Sequence, residues 1–287
     1  MSDPQRETPT STAWRGAVAE IRYACPTPEP GIVYALALEH STCRFEGHAT
    51  RITDARHPAA AWSLDANGFE LAHAPSDVAD FLDMAQIEGI YYPEVERLVR
   101  RVTGAQRALI YSFMVRDDSG QRKDTRRAAR TAHLDYTEDS LRLFGRQLLG
   151  TEAADALFRQ RWAAINVWRP IRPVEKTPLA LCHARTVGEG DFIDVAMGYR
   201  PGEALQPYVG RNLKWSPRQD WYYFSGMQPS EALVFKLHDS REDVARYTPH
   251  SAFDDPHASP DARWRISCET RVLVFYGDPD THRTDAG

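Results

Sequence analysis

The second half of the chain is a succession of short apolar segments separated by turns. Between residues 163 and 276 these segments read AINVW, LALCH, FIDVA, WYYFSG, ALVFKLH and RISCETRVLVFY, with proline and glycine in many of the intervals. Segments this short are typical of strands, and many of them in a row indicate a sandwich or a jelly-roll barrel. We therefore predict a mainly β fold, in which helices pack on one outer face of a barrel core.

The helices are expected in the first half of the chain and around residues 140–158. The segment PEVERLVRRV places apolar residues at i, i+3, i+4 and i+7, which predicts a helix over residues 93–102 that ends at Gly104. Residues 77–86 are also predicted to be helical. Residues 140–158 predict two helices, the second with Thr151 as its N-cap.

Two further patterns in the first half predict β structure. Asn67-Gly68 lies between apolar stretches and predicts a hairpin turn. Residues 108–115 (ALIYSFMV) predict a buried strand. No repeat or linker divides the chain, so we predict one domain over residues 1–287, with flexible ends at about 1–14 and 278–287.

Composition restricts the partners and the compartment. The net charge of -5 argues against a nucleic-acid partner, and no apolar run approaches the length that spans a bilayer. The polar N-terminus lacks the apolar core of a signal peptide. Four cysteines without Cys-x-x-Cys spacing fit neither a zinc site nor a disulfide framework, so a cytoplasmic location is predicted. The oligomeric state stays open.

His133 and Asp135 are the strongest candidates for metal ligands. On a strand these two side chains share one face, while Leu134 between them points to the other. Two imidazoles and one carboxylate are the set that holds non-haem Fe(II) and leaves coordination positions open. Three distant histidines could supply the second imidazole: His238, His250 and His257.

The segment from Arg265 to Val272 alternates polar and apolar residues. Its polar face carries Arg265, Ser267, Glu269 and Arg271, which a purely structural strand would not normally bury. A guanidinium fork suits a carboxylate, so a dicarboxylate co-substrate such as 2-oxoglutarate would be a partner for Arg265 and Ser267. The alternative is an exposed strand face with cross-strand salt bridges.

Other residues are weaker candidates for the same site. Asn166 and Arg169 lie on a predicted barrel strand and are candidates for contact with the co-substrate. Trp221, Tyr223 and His238 are candidates for contact with the substrate. The arginine-rich run over residues 122–130 is either a solvated loop or a gate that attracts an acidic substrate.

Six segments resemble, in this order, one family of oxygenases. They are YYPEVERLVRRVTGA, AHLDYTEDS, INVWRPI, EALVFKLHDS, TPHSAFDDP and RISCETRVLVF. The chain is similar from about residue 63 to 276 to the family that includes the cephalosporin 7-alpha-methoxylase component, fungal meroterpenoid oxygenases and gibberellin-desaturase-like proteins. The resemblance implies a double-stranded β-helix fold, Fe(II), and 2-oxoglutarate and O2 as co-substrates.

Carried onto this sequence, the resemblance implies that His133, Asp135 and His250 bind the metal and that Arg265 and Ser267 bind 2-oxoglutarate. The implied reaction is hydroxylation or desaturation of an unactivated C–H bond in a small specialised metabolite, with release of succinate and CO2. Two alternatives are a metal-dependent isomerase or hydrolase on the same barrel, and a barrel that only binds a small molecule.

Overall fold

Two β-sheets form the body of the protein. The computed structural model describes residues 14–29, 31–56, 61–122 and 125–277, so most of the two predicted flexible ends lies outside the described residues. In chain order the strands are β1 (Gly16–Cys25), β2 (Ile32–Tyr34), β3 (Arg44–Asp54), β4 (Phe69–His73), β5 (Arg107–Asp117), β6 (His133–Leu134), β7 (Trp162–Pro170), β8 (Leu179–Cys182), β9 (Phe192–Gly198), β10 (Val209–Leu213), β11 (Trp221–Tyr223), β12 (Glu231–Asp239), β13 (His250–Ala252) and β14 (Ile266–Phe275).

Five α-helices lie between these strands in the described residues. They are α1 (Leu64–Asn67), α2 (Met84–Gln86), α3 (Tyr92–Thr103), α4 (Glu138–Leu149) and α5 (Thr151–Phe158). A π-helical turn, Ile87–Tyr91, joins α2 to α3, and short 3₁₀ turns span Leu38–His40, Ala184–Thr186 and Glu189–Asp191.

The larger sheet has the strand order β1-β3-β11-β8-β13-β6-β10-β9-β2, and the smaller has the order β4-β12-β7-β14-β5. Most pairs are antiparallel, but β3 and β11 run parallel, as do β2 and β9. One hydrophobic cluster contains side chains of both sheets, among them Leu134, Leu181, Trp168, Phe235 and Leu273. The two sheets therefore enclose a common interior.

Alternation along the smaller sheet separates this interior from a second cluster outside it. Val167, Val234 and Val272 face outward and pack with the α3 residues Val95 and Val99. The i, i+4 spacing of Val95 and Val99 gives α3 its apolar face, as the sequence predicts. Because α3 covers the outer face of the smaller sheet, the inner face is left free to carry polar residues.

The helices α4 and α5 lie apart from α3 and pack into the inner cluster. Leu141, Leu157 and Phe158 belong to the inner cluster and lie with Trp162 and Phe275. The predicted packing of helices on an outer face is confirmed by α3 and by the turn Ile87–Tyr91, whereas α4 and α5 pack at the ends of β7 and β14. The reason is that α4 and α5 carry large apolar side chains, which bury against the apolar ends of β7 and β14.

Three local predictions need correction. Asn67-Gly68 does not form a hairpin turn, because Gly68 (φ 91°) ends helix α1 in the left-handed conformation and β4 follows directly. Residues 77–83 are not helical; Asp83 caps α2, and its carboxylate accepts a hydrogen bond from the Ala85 amide. The N-cap of α5 is Gly150 rather than Thr151, which is the first residue of that helix.

The four cysteines are all free, and two of them, Cys182 and Cys268, are buried. None of the helices in the described ranges combines the length and the apolar character that crossing a membrane requires. The single-domain organisation stays a prediction.

Candidate metal centre

His133, Asp135 and His250 converge at one point between the two sheets. Each offers one ligand atom, and these three atoms lie within 4.8 Å of one another. The rings of His133 and His250 have centroids 4.4 Å apart, and His133 Nε2 lies 3.8 Å from Asp135 Oδ1. No other group of three such side chains that could hold a metal was found in the described ranges.

Strand register explains this convergence. His250 on β13 pairs directly with His133 on β6, so both side chains project from the same face of the larger sheet. Asp135 follows β6 two residues after His133 and points to the same side, as alternation requires. The His-x-Asp spacing therefore places both ligands on one face, and the neighbouring strand supplies the third.

Both histidines are oriented by backbone carbonyl groups. His133 Nδ1 lies 2.8 Å from the Thr131 carbonyl oxygen, and His250 Nδ1 lies 3.2 Å from that of Thr248. A carbonyl oxygen can only accept, so each Nδ1 donates and each Nε2 keeps its lone pair. Burial, together with the neighbouring His133, lowers the pKa of His250 to about 4, so the imidazole is neutral at physiological pH.

A chain of ion pairs stands behind Asp135. The Arg271 fork donates to both Asp135 oxygens, Nε to Oδ2 and Nη2 to Oδ1, each at 2.9 Å. Arg271 Nη2 also donates to Glu269 at 2.6 Å, and Arg116 donates to both Glu269 oxygens at 2.8 and 2.9 Å. We call this group of four residues the clamp, because it fixes the position of the ligand carboxylate. The clamp consists of Asp135, Arg271, Glu269 and Arg116.

The clamp keeps its carboxylates ionised although all four side chains are largely buried. Burial alone would raise the pKa of Asp135, but Arg271 and His250 hold it well below its usual range. Burial likewise opposes ionisation of Glu269, whereas Arg116 and Arg271 lower the pKa of Glu269 to about 2. Asp135 is thus a carboxylate in fixed orientation, ready to bind a cation.

Unpaired donors mark the region beside the metal ligands. Arg265 is buried, and its Nη1 donates to the Thr177 carbonyl oxygen at 2.8 Å. Its Nε and the Ser267 hydroxyl are buried without a hydrogen-bond partner in the described part of the chain, and the Asp118 carboxylate lies 4.0 Å from that Nε, beyond hydrogen-bond distance. Arg265 lines the same pocket as His133 and His250. Burial lowers the pKa of Arg265 to about 10, which leaves the guanidinium charged at neutral pH.

These observations fit an iron ion and a dicarboxylate. The three ligand atoms are the nitrogen and oxygen donors that Fe(II) takes in open three-residue sites. The unpaired guanidinium and hydroxyl donors require an acceptor, because an unsatisfied buried donor typically costs about 1–3 kcal/mol. A carboxylate of 2-oxoglutarate would supply that acceptor.

The structure separates the two candidates on β7. Asn166 pairs with Arg271 across the sheet and shares its inward face, with Nδ2 3.4 Å from Asp135 Oδ2. Arg169 points to the opposite face: it donates to the Pro229 carbonyl oxygen at 2.8 Å and stacks over the Tyr91 ring at 5.5 Å. The prediction that Arg169 contacts the co-substrate is therefore corrected, because strand alternation turns it outward.

The aromatic candidates for substrate contact also require correction. Leu181 pairs with both His250 and Tyr222, so Tyr222 projects from the face that carries the metal ligands. Trp221 and Tyr223 alternate to the other face, where Trp221 packs edge-on against Tyr23 and Tyr223 against Phe253. Tyr222 is thus on the side of the site, while Trp221 and Tyr223 are core residues.

The two rival histidines lie away from the metal ligands. His238 is buried and stacks on Trp162 with a centroid distance of 4.6 Å, and its nearest acid is Glu138 at 3.5 Å. His257 is exposed on a loop. Neither belongs to the group of converging ligands. His238 therefore loses its assignment as a substrate contact as well, because it lies at the apolar end of β12, near α4.

His238 leads to a prediction about acid stability. Burial lowers the pKa of His238 to about 4, against an ordinary value of 6.5. As the pH falls below 6.5 the unfolded chain gains a proton that the folded chain does not, so stability is lost between about pH 6.5 and 4. From pH 7.5 to pH 5, His238→Phe should lose about 2 kcal/mol less free energy of unfolding than the parent protein. Urea denaturation of metal-free protein at both pH values measures this difference, and equal losses would contradict it.

Sequence reasoning missed two residues near the metal. Asn212 on β10 pairs with His133, which places its side chain on the ligand face, and its buried Nδ2 has no partner in the described residues. Arg116 on β5 holds Glu269 and lines the pocket. No motif or spacing in the sequence indicated that Asn212 lies near the metal ligands. Arg116 ends a predicted strand, but its pairing with a residue 153 positions away is a tertiary contact.

Comparisons with known proteins agree with this geometry. The family described as "Oxidoreductase/YMDC permease-like domain" matches residues 23–275. The chain is 30% identical to "Hydroxylase/desaturase efuI" of Hormonema carpetanum, with 92% of each chain covered. It is 32% identical to "Fe(II)/2-oxoglutarate-dependent dioxygenase nvfI" of Aspergillus novofumigatus, with 91% of this chain and 93% of that protein covered.

A solved structure extends the likeness to the fold. The "iron and alpha-ketoglutarate-dependent endoperoxidase NvfI with different conformation" superposes with a TM-score of 0.80 and 29% sequence identity, covering 93% of this chain and 100% of that one. The predicted jelly-roll fold is thereby confirmed. The chain belongs to the family matched over residues 23–275, and its relatives include an Fe(II)/2-oxoglutarate-dependent dioxygenase and an iron and alpha-ketoglutarate-dependent endoperoxidase of solved structure. Its cofactors are accordingly Fe(II), 2-oxoglutarate and O2.

Proposed function

We propose that this oxygenase binds Fe(II) through His133, Asp135 and His250 and hydroxylates or desaturates an unactivated C–H bond of a small specialised metabolite. 2-Oxoglutarate is held by Arg265 and Ser267 and is converted to succinate and CO2. The observation that carries the proposal is the convergence of three ligand atoms within 4.8 Å, in the pocket that Arg265 also lines. Hydroxylase and desaturase are the activities named for the relative efuI. A cytoplasmic location remains a prediction.

The protein side chains have separable tasks in this reaction. When bound, Fe(II) and 2-oxoglutarate supply the activation of O2 and the removal of hydrogen from the C–H bond. The carbonyl groups of Thr131 and Thr248 keep the two imidazoles in the tautomer that offers Nε2. Arg271 holds the Asp135 carboxylate by both oxygens, so little reorientation is needed when the metal binds.

Arg265 and Ser267 act on the co-substrate. Their unpaired donors are both buried and follow one another on the inward face of the chain leading into β14. A carboxylate between them would accept charge-assisted hydrogen bonds in a site from which water is excluded. Fixing that carboxylate would orient the oxo-acid end of 2-oxoglutarate towards the metal ligands.

Arg265→Gln is expected to weaken 2-oxoglutarate binding while leaving iron binding intact. Hydrogen bonds to charged groups contribute about 1.5–3 kcal/mol, so the KM for 2-oxoglutarate should rise by about 10- to 100-fold. Arg263→Gln is the matched control, because Arg263 is an exposed arginine two positions earlier that pairs with Glu175. The KM for 2-oxoglutarate is measured from succinate formation, and iron content from the purified protein. An unchanged KM in Arg265→Gln would contradict the assignment.

The requirement for O2 separates this function from the non-oxidative alternatives. With Fe(II) and 2-oxoglutarate, the protein should form succinate in air and none under argon, even before its substrate is known. An isomerase or hydrolase on the same barrel would not consume 2-oxoglutarate. Substrate turnover that persists under argon would overturn the proposed function.

A further inference from the structure

Arg126 is a guanidinium at the rim of the metal pocket for which the described chain offers no acid. Arg116, Arg130, Arg265 and Arg271 each lie within 4.0 Å of a carboxylate oxygen. No such carboxylate and no side-chain hydrogen bond is found for Arg126 among residues 14–29, 31–56, 61–122 and 125–277. Arg126 is nevertheless half-buried, whereas the neighbouring Arg127 is exposed.

Backbone pairing aims Arg126 into the barrel. Ser267 on β14 pairs with Arg116 on β5, and Arg116 forms a parallel bridge with Arg126. Paired residues of neighbouring strands project from the same face of a sheet, so Arg126 continues the inward-facing row that begins at Ser267. Arg116 lines the metal pocket, and Arg126 lies one step further out, beyond the edge of the smaller sheet.

The electrostatic surroundings leave Arg126 in need of an anion. Burial lowers the pKa of its guanidinium, and the positive charges of Arg116 and Arg271 lower it further. Those two arginines are neutralised by Glu269 and Asp135, so the described residues on this side of the pocket supply no acid that pairs with Arg126. Because Fe(II) and the 2-oxoglutarate dianion carry opposite and equal charge, binding both would add no net negative charge there.

An aromatic wall starts beside the metal ligand Asp135. Four residues form this wall: Tyr111, Tyr136, Phe144 and Tyr208. Phe144 lies 5.1 Å from Tyr111, 4.9 Å from Tyr136 and 5.4 Å from Tyr208 between ring centroids. Tyr136 follows the ligand Asp135 in the chain and stacks under the Arg271 guanidinium at 5.6 Å. Tyr136 and Tyr208 are both close enough to act on the charge of Arg126.

We propose that Arg126 binds an acidic group of the substrate, and that the substrate is a hydrophobic carboxylic acid whose body lies along the aromatic wall. A guanidinium next to aromatic rings suits a ligand that joins a carboxylate to an apolar frame. The proposal rests on the proposed function, since it takes the metal pocket as the place of reaction. Within the arginine-rich run over residues 122–130, the proposal assigns substrate binding to Arg126, while Arg127 is exposed to solvent.

Two aromatic carboxylic acids serve as probes, so the proposal can be tested before the natural substrate is known. Pyrenebutyric acid and phenylbutyric acid are each compared with their methyl esters for binding to the Fe(II)- and 2-oxoglutarate-loaded protein under argon. The parent protein should bind at least one acid about 10- to 100-fold more tightly than its ester. Arg126→Gln should abolish this preference, Arg126→Lys should keep part of it, and the matched control Arg127→Gln should keep all of it.

The same variants distinguish a substrate acid from the co-substrate. If Arg126 serves the substrate, the KM for 2-oxoglutarate in Arg126→Gln stays within about twofold of the parent value, in contrast to the rise expected for Arg265→Gln. A large rise in that KM would mean that Arg126 binds 2-oxoglutarate, and would overturn the proposal. Equal binding of acid and ester by the parent protein for both probes would overturn it too. Failure of the parent protein to bind iron would instead refute the proposed function. Iron content is measured separately from probe binding, so the two outcomes are distinguishable.

Discussion

Asp135→Ala is expected to abolish Fe(II) binding and succinate formation. Asp135 is the only anionic ligand of the three, and its carboxylate is fixed by Arg271 within reach of both imidazoles. Removal of a partner outside the ligand set typically costs 10- to 100-fold in metal affinity, so loss of the ligand itself should exceed about 100-fold. Iron content after anaerobic loading and gel filtration measures the effect.

Folding must be separated from metal binding in this experiment. Asp135→Asn keeps the size of the side chain and an acceptor for Arg271, so it tests the charge with less disturbance of the clamp. Asp243→Ala is the control, because Asp243 is an exposed aspartate paired with Arg241 on the surface. Iron binding in a folded Asp135→Asn variant at the parent level would contradict the assignment of this ligand.

Arg271→Leu is expected to lower the free energy of unfolding of the metal-free protein by about 3–5 kcal/mol. The guanidinium is 4% exposed and compensates two buried carboxylates, those of Asp135 and Glu269. Burial opposes the charge of Arg271, but the two acids raise the pKa of its guanidinium well above the ordinary value. Without it, the described residues leave Asp135 with one long hydrogen bond from Asn166 and the contact with His133, and leave Glu269 paired with Arg116. Urea denaturation monitored by circular dichroism gives the free energy.

Arg271→Lys isolates the orienting role from the charge. Lysine keeps a positive charge but cannot donate to both Asp135 oxygens in one plane, so iron affinity should fall by about 10- to 100-fold with a smaller loss of stability. Arg146→Leu is the control: Arg146 forms an exposed ion pair with Asp155, and its loss should cost no more than about 1 kcal/mol. Unchanged iron affinity in Arg271→Lys would show that the clamp does not orient the ligand.

The two faces of the strand that follows Arg265 were predictable from its alternating polar and apolar residues. The alternation of Arg265–Val272 correctly indicated a polar face directed into the barrel and an apolar face packed beneath a helix, since Glu269 and Arg271 lie at the pocket and Val272 lies with α3. The same reasoning could not choose between Asn166 and Arg169, because alternation gives two faces without saying which is inner. The pairing of β7 with β14 shows that Asn166 is the inward residue, because it lies opposite Arg271. This pairing register depends on a distant strand and is not contained in the local sequence.

Local patterns misled where tertiary packing decides the conformation. Asn67-Gly68 has the composition of a tight hairpin, but Gly68 adopts its positive φ to end a helix. The Gly68 carbonyl oxygen then accepts hydrogen bonds from the Lys236 amide and the Thr248 hydroxyl, both far away in the chain. His238 and Trp221 looked like site residues because of their chemistry. Both side chains are buried: His238 stacks on Trp162 and Trp221 packs edge-on against Tyr23, which composition alone cannot reveal.

The clamp shows what a single sequence leaves hidden. Arg116 and Glu269 are 153 positions apart, and Asp135 and Arg271 are 136 apart. The pairing of β5 with β14 brings Arg116 to Glu269, and the packing of the two sheets brings Asp135 to Arg271. Nothing in their local sequence indicates which acid meets which base. The ligand pair His133 and Asp135 was predictable because its spacing is local and strand geometry fixes its direction.

The central claim is that Fe(II) and 2-oxoglutarate bind together at the site formed by His133, Asp135, His250 and Arg265. Anaerobic titration of the purified protein with Fe(II), followed by 2-oxoglutarate, tests it through the visible charge-transfer band of the chelate. We predict a band that requires both additions, is absent in His133→Ala, and needs more 2-oxoglutarate in Arg265→Gln than in the parent protein. A parent protein that binds iron but forms no band, or a band that persists in His133→Ala, would contradict the account.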